Sequence, residues 1–325
     1  MTLNDSRILV TGGTGSFGNE FVKTILAQNP KTVKVFSRDE FKQYNMARKY
    51  PDVEYVIGDV RDRYAVSQVV RDVDIIVHAA ALKQVPMCER QPMEAIKTNI
   101  LGTFNLLSAS IGRVEKFVAL STDKAVNPIN AYGATKSLLE KLVIANGTLS
   151  DKTKYCCVRY GNVVGSRGSI VPLFKEQAKT GTITITDPEM TRFWITLQEG
   201  VNLVLWCLDN MKQGYIYVPK LKSSKVVDVA KAISPSAILN TIGIRPGEKL
   251  HESLIGVDEG RRAVLIDNKV YGIRPERSLY PNIDVDGLLS MHETVVEDGF
   301  WYGSNHNCEQ LTIPEIQERI NGLEE

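Results

Sequence analysis

The chain has 325 residues, 43% hydrophobic and 24% charged, with a formal net charge of +1. That length allows a large core and a main domain with a smaller one beside it, and the near-neutral balance gives no reason to expect nucleic acid or an anionic membrane as partner. No run of about 18 apolar residues is present to span a bilayer, and the N-terminal apolar stretch is too brief for a signal peptide.

In chain order, RILVTGG reads as a strand and GNEFVKTILAQ as the helix behind it. Further strands follow in VKVFSRD, EYVIGDV, DIIVHAAA, KFVALST and CCVRYGNV. Most are continuous apolar runs, as expected for strands buried on both faces. Strands alternating with helices predict an α/β chain built on a Rossmann-like, doubly wound parallel sheet. After about residue 165 the pattern loosens. Helices are expected in GSIVPLFKEQAKTG, within FWITLQEGVNLVLWCLDNM and in SKVVDVAKAI, with short strands TITIT and GYIYVP between them. The expected division is a dinucleotide-binding domain over 1–165, joined by about 193–218, and a smaller, mainly substrate-binding α/β domain over 166–325. A cleft between them is the natural ligand site.

The five cysteines, Cys88, Cys156, Cys157, Cys207 and Cys308, form no CxxC, and the four histidines add no metal-ligand spacing. Adjacent Cys156 and Cys157 would point to opposite faces of a strand, a poor geometry for pairing. A reduced cytoplasmic protein without a metal is expected. His78 ends a buried strand, and with Trp194 and Trp206 it is assigned to structure.

VTGGTGSFG places Gly12, Gly15 and Gly18 at intervals of three between the first strand and the first helix. Glycine permits the tight turn and lets a pyrophosphate approach the helix N-terminal amides, so a dinucleotide site is expected rather than a plain turn. About twenty residues on, the second strand ends in SRDEFK. An acid there would grip the ribose hydroxyls of NAD, whereas an Arg would accommodate the 2′-phosphate of NADP. Ser37, Arg38 and Lys42 around Asp39 favour NADP, with NAD as the alternative and a solvated charged turn as the bland reading.

STDKAVNPINAYGATK then sets Tyr132 and Lys136 four apart, on one face of a helix. A phenol is a poor base at neutral pH unless a nearby ammonium and a nicotinium ring pull its pKa down. Lowered, Tyr132 could take a sugar hydroxyl's proton while hydride leaves the same carbon. Asn130 is the expected N-cap and Asn146-Gly147 the expected end. Gly133, costly inside a helix, is explained by close approach of a ligand. The bland reading of Asp123-Lys124 is a surface ion pair.

TGGTGSFG, GDVRD, HAAALK, KTN and YGATK together resemble the extended short-chain dehydrogenase/reductases. STDKAVNPINAYGATK, RYGNVVGSRGS, MTRFWIT and IRPGEKLHE are more closely similar to the UDP-N-acetylglucosamine 4,6-dehydratases of bacterial surface-sugar biosynthesis, of the short, soluble, C5-inverting type. The similarity runs from about residue 7 to near the C-terminus and is weakest over about 256–300.

The resemblance implies that Thr14, Ser16 and Phe17 in the loop, Asp59, Val60, the Ala79-Ala80-Ala81 run and Val163 bind the cofactor with Tyr132 and Lys136. Lys83 and Asn99 are assigned to the cofactor or to ordering backbone. It implies that Tyr132 oxidises C4, that Lys124 takes the C5 proton once crowding by Lys136 or burial leaves it neutral, and that Asp123 protonates the departing 6-hydroxyl. Thr122 bonds the C4 oxygen. Lys83, Ser121, Asn162, Arg167, Thr191, Arg192, Arg245 and Glu248 would hold the UDP-sugar, arginine suiting phosphate through its planar fork. The family's habit implies a homo-oligomer, a dimer or higher, up to a hexamer. A retaining 4,6-dehydratase, a UDP-sugar 4-epimerase and a non-catalytic NADP-binding protein are the alternatives.

Overall fold

The computed structural model describes residues 3–166, 168–283, 293–306 and 308–322. Six strands follow the apolar runs in order: β1 (Arg7–Thr11), β2 (Thr32–Ser37), β3 (Glu54–Ile57), β4 (Ile75–His78), β5 (Lys116–Leu120) and β6 (Lys154–Val158). They pair in parallel as β3-β2-β1-β4-β5-β6, with Val10 registered against Val35 on one side and Val77 on the other. Ile8, Leu9, Val10, Ile76, Val77, Phe117 and Val118 are fully buried, which is why these runs lack polar alternation. The chain reverses direction across the sheet at β1 and β4, and the carboxyl ends of these strands open the crevice where such folds bind ligands.

Helices cover both faces. Helix α1 (Ser16–Leu26) packs beside α4 (Leu197–Asn210) on one face, while α3 (Ala131–Asn146) packs with the Gly102–Ser110 helix on the other. Helix α2 (Glu40–Ala47) follows β2. Among the described residues no helix is long and apolar enough to cross a membrane.

The sheet does not stop at the first half. β7 (Ile216–Pro219) adds in parallel to β6, and β8 (Ala263–Ile266), β9 (Val270–Ile273) and β10 (Glu293–Val295) extend it antiparallel, giving ten strands. The main core therefore takes residues from 254 to 302 as well as those before 165. A second core is built by the helices Ile170–Ala178, Val226–Ile233 and Ile313–Asn321 around Trp194, with the parallel pair Thr182–Ile185 and Ile238–Thr241. The last third of the chain thus returns to the first sheet, beyond the 193–218 stretch expected to join it. Trp194 is buried and donates to Ser224 Oγ at 2.8 Å, and Trp206 packs its edge on Tyr217.

Candidate active site

A cavity of about 950 Å³ opens at the carboxyl ends of β1, β2, β4 and β5. Its first wall is the loop into α1. Gly12 has φ +68°, and a Cβ there would stand 2.8 Å from the Ala80 backbone, so this turn takes only glycine. Gly15 is the N-cap of α1 without a side-chain cap bond, which leaves the first amides of the helix facing the cavity. Thr14, Ser16, Phe17 and Gly18 line the same wall. A cradle closed to any Cβ, with helix amides aimed into it, fits a pyrophosphate.

Ser37, Arg38, Asp39 and Lys42 form the next rim, with Asp59 and Val60 beyond. Asp39 caps α2, accepting from the Lys42 amide at 2.9 Å and pairing with the Lys42 ammonium. The Arg38 guanidinium is 53% exposed at this rim and lies 3.7 Å from Asp59. Ala79, Ala80, Ala81 and Lys83 complete the floor, and burial lowers the Lys83 pKa. Val163 and Asn162 close the far side.

Asn99 does not reach the cavity. Fully buried, it accepts from the Leu82 amide at 2.8 Å and donates to the Leu82 carbonyl and Thr135 Oγ1, each at 2.9 Å. It orders the backbone beneath Lys83. His78 is also structural: between Thr11 Oγ1 at 2.7 Å and Thr103 Oγ1 at 2.9 Å, its pKa is pushed down to about 3 by burial and then by Lys136.

The chemistry-bearing groups follow β5. Ser121, Thr122, Lys124, Tyr132 and Lys136 line the cavity. Asn130 caps α3, its side chain accepting from the Gly133 amide at 2.7 Å, so the helix starts where the sequence predicts. Gly133 faces protein rather than a ligand: a Cβ on it would lie 2.1 Å from the Lys124 carbonyl oxygen. Lys136 donates to the Leu120 carbonyl at 2.7 Å, and burial lowers it to about 8. Tyr132 departs from expectation. Burial pushes its phenol up to about 12, and the opposing pull comes from Lys124 and a Thr122 hydrogen bond, not from Lys136.

Lys124 also departs from expectation. Burial would lower it, but Asp123 and Glu252 outweigh burial and hold the ammonium well above the ordinary amine range. Its Nζ lies 3.0 Å from Asp123 Oδ1 and 3.3 Å from Glu252 Oε1. Asp123 is buried behind the cavity wall, accepting also from Thr122 Oγ1 at 2.9 Å. The expected neutral amine is therefore an ammonium between two buried carboxylates.

The candidate sugar-holding residues divide. Ser121, Asn162 and Lys83 line the cavity, and Arg167 lies outside the described residues. Thr191, Arg192, Arg245 and Glu248 stand away from it. Buried Arg192 spends its guanidinium on the carbonyls of Thr191, Leu250 and Lys249. Arg245 forms a two-point pair with Glu248 at 3.1 and 2.9 Å. Thr191 bonds His251 and Ser304. These groups shape the 245–252 segment, which reaches α3 where Asn130 donates to the Gly247 carbonyl at 2.7 Å.

Three groups escaped the sequence reading. Glu252 ends the quoted IRPGEKLHE, but nothing local says that it returns to Lys124. Thr98 lines the cavity on a π-helical turn (Ile96–Leu101) with its buried hydroxyl unpartnered. Arg159, fully buried, bonds both Glu140 oxygens at 2.9 and 2.6 Å, both Glu259 oxygens at 2.8 and 2.9 Å and the Leu254 carbonyl at 2.8 Å. Glu140 in turn accepts from cavity-lining Ser121 Oγ at 2.5 Å. RYGNV contained this Arg, but its two partners are distant in sequence. Among the described residues no group of three metal-ligating side chains occurs.

A family profile described as polysaccharide biosynthesis protein matches residues 8–273. The inverting UDP-N-acetylglucosamine 4,6-dehydratase of Campylobacter jejuni is 44% identical, covering 99% of both chains. A Rickettsia bellii protein called UDP-glucose 4-epimerase is 43% identical, covering 98% of this chain and 96% of its own. The crystal structure of Pen from Bacillus thuringiensis superposes with a TM-score of 0.90 at 32% identity, covering 100% of this chain and 99% of that one.

Proposed function

The chain belongs to the family of polysaccharide biosynthesis proteins, and on that footing we propose that it is a UDP-N-acetylglucosamine 4,6-dehydratase that inverts C5, in bacterial surface-sugar biosynthesis. The observation that carries this reading is the Lys124 ammonium set beside Tyr132 at the cavity, with its carboxylate Asp123 directly behind the wall. An alcohol oxidation needs only Tyr132 and Lys136. Elimination of water also needs an acid and a base, and these are the two groups added here.

The α1 amides would hold the pyrophosphate of a nicotinamide dinucleotide, with Arg38 at the ribose rim. Asp39 is committed to capping α2, which favours NADP over NAD. When bound, the dinucleotide supplies the acceptor for hydride from C4, the donor that returns it to C6, and a positive ring charge that favours the Tyr132 phenolate. Tyr132 takes the 4-hydroxyl proton while Thr122 bonds the C4 oxygen. The 4-ketone acidifies C5, Lys124 as a neutral amine removes that proton, and Asp123, which rests as a carboxylate, relays a proton from the Lys124 ammonium so formed to the departing 6-hydroxyl. Reprotonation of C5 from the other face gives the inverted product. Ser121 and Asn162, which line the cavity, would hold the sugar, and Arg245 and Glu248 would join them if the 245–252 segment turns toward bound UDP. All five cysteines are free, in accord with a reducing cytoplasm, and the working unit is a homo-oligomer.

The Rickettsia relatives favour one second reading, a UDP-sugar 4-epimerase, which would use Tyr132 and leave C5 untouched. Incubation with UDP-N-acetylglucosamine in deuterated water, without added reductant, separates the two by NMR. A 6-deoxy-4-keto sugar with deuterium at an inverted C5 is the expected product. UDP-N-acetylgalactosamine in its place makes the enzyme an epimerase, and deuterium at a retained C5 rejects inversion.

A further inference from the structure

We propose that Glu252 is the positioning residue that takes the ammonium proton from Lys124 and so converts it into the base at C5, an inference that rests on the dehydratase reading above. Glu252 is 2% exposed and Asp123 1%, whereas the Lys124 side chain between them is 22% exposed at the cavity. Glu252 Oε2 and Asp123 Oδ2 are buried without a hydrogen-bond partner. A buried ion pair kept only for stability needs its remaining lone pairs satisfied. Glu252 Oε1 lies 3.3 Å from the ammonium and Oε2 makes no hydrogen bond, so this carboxylate keeps lone pairs free to accept a proton.

The groups facing Glu252 are Lys124, Asp123, Arg192 and Lys249, the last 4.0 Å from Oε2 and donating to the Val126 carbonyl at 2.6 Å. Burial raises the Glu252 carboxyl and Asp123 adds to this, against the pull of the three cations. Sugar entering the cavity removes water from Lys124 and disfavours the charged pair further. One Lys124 N–H bond then breaks and one Glu252 O–H bond forms, which leaves an amine lone pair for the C5 proton. Lys124, charged again by the C5 proton, passes a proton through Asp123 to the departing hydroxyl and recovers its own from Glu252, while the proton Tyr132 takes from the 4-hydroxyl is matched by the solvent proton that C5 receives, so the transfers balance.

The test compares wild type, Glu252→Gln and Glu252→Asp across pH 5.5–10, following product and C5 deuterium by NMR, with thermal melts to confirm folding. Wild-type kcat should fall on the acid side as Glu252 takes up a proton. Glu252→Gln should lose about 100-fold in kcat at pH 7 with KM within about threefold, then recover about tenfold per pH unit as Lys124 sheds its proton to water. Glu252→Asp should keep the wild-type acid limb with kcat about tenfold lower, because its carboxylate is displaced. A Gln variant reduced by one factor at every pH has lost packing only, and that result overturns the proposal, as does an unchanged rate. If Glu252→Gln fails to fold, an Asp variant with wild-type kcat overturns it. Wild type that makes no C5-deuterated product sinks the dehydratase reading and this inference together, whereas deuterated product from an unaffected Gln variant sinks this inference alone.

Discussion

Gly133 Cα and the Lys124 carbonyl oxygen are packed so closely that a Cβ on Gly133 would lie 2.1 Å from that oxygen. Helix α3 is therefore seated directly on the turn that carries Asp123 and Lys124. Gly133→Ala must push the two apart. Although alanine favours helix, we expect a net loss of about 1–3 kcal/mol in urea unfolding from overpacking. The larger effect should be on turnover, with kcat down about 100-fold because Tyr132 and Lys124 ride on the separated elements. Wild-type kcat in a folded Gly133→Ala variant would show that the turn does not need this seat.

Arg38 and Asp39 make opposite predictions for the cofactor. With Asp39 occupied by the α2 cap and Arg38 at the rim, Arg38→Ala should weaken NADP binding by about 10-fold or more while changing NAD little. Titration of each dinucleotide by calorimetry checks this. Equal loss for both would mean that Arg38 does not read the 2′-phosphate.

His78 gives the fold an acid-side liability of known sign. Its folded pKa of about 3 lies below the ordinary 6.5, so between those values the unfolded chain binds the extra proton. Stability should fall as pH drops from 6.5 to 3, by up to roughly 4 kcal/mol from this one group. His78→Gln should flatten the pH slope of urea-derived stability in that window and leave the slope above pH 7 as in wild type. A wild-type slope retained in the variant would place the liability elsewhere.

Arg159 neutralises two carboxylates in the core, and Glu140 also holds the cavity residue Ser121. Arg159→Met leaves Glu140 buried and Glu259 half-buried without their cation, which should cost about 3–5 kcal/mol. The Arg159→Met, Glu140→Gln pair should recover part of that loss, because one stranded charge is gone. A double variant less stable than the single would argue against charge as the cause.

The parallel half was readable because burial on both faces writes itself as continuous apolar runs, and Asn130 and the glycine loop are local signals with local causes. The C-terminal strands were missed where resemblance was weakest, yet AVLIDNKVYGI held a signal. Asp267 and Asn268 both have positive φ and turn β8 tightly into β9. At the site, the sequence named the residues better than their charge states. Tyr132 was expected to titrate low beside an ammonium and a nicotinium ring, and Lys124 through crowding by Lys136 or burial, but Lys136 points to the Leu120 carbonyl. Their surroundings are set by burial and by Glu252, and no spacing within STDKAVNPINAYGATK reports either.

The long return of the chain from Lys124 to Glu252 also has a meaning in time. Strands β1 to β6 emerge from the ribosome before the segment that carries Glu252, and at about 5–20 residues per second the interval is on the order of ten seconds. During it the nascent protein can build its nucleotide-binding sheet with the Lys124 pair still one carboxylate short. On the reading proposed above, the site waits on the last third of synthesis for its second carboxylate.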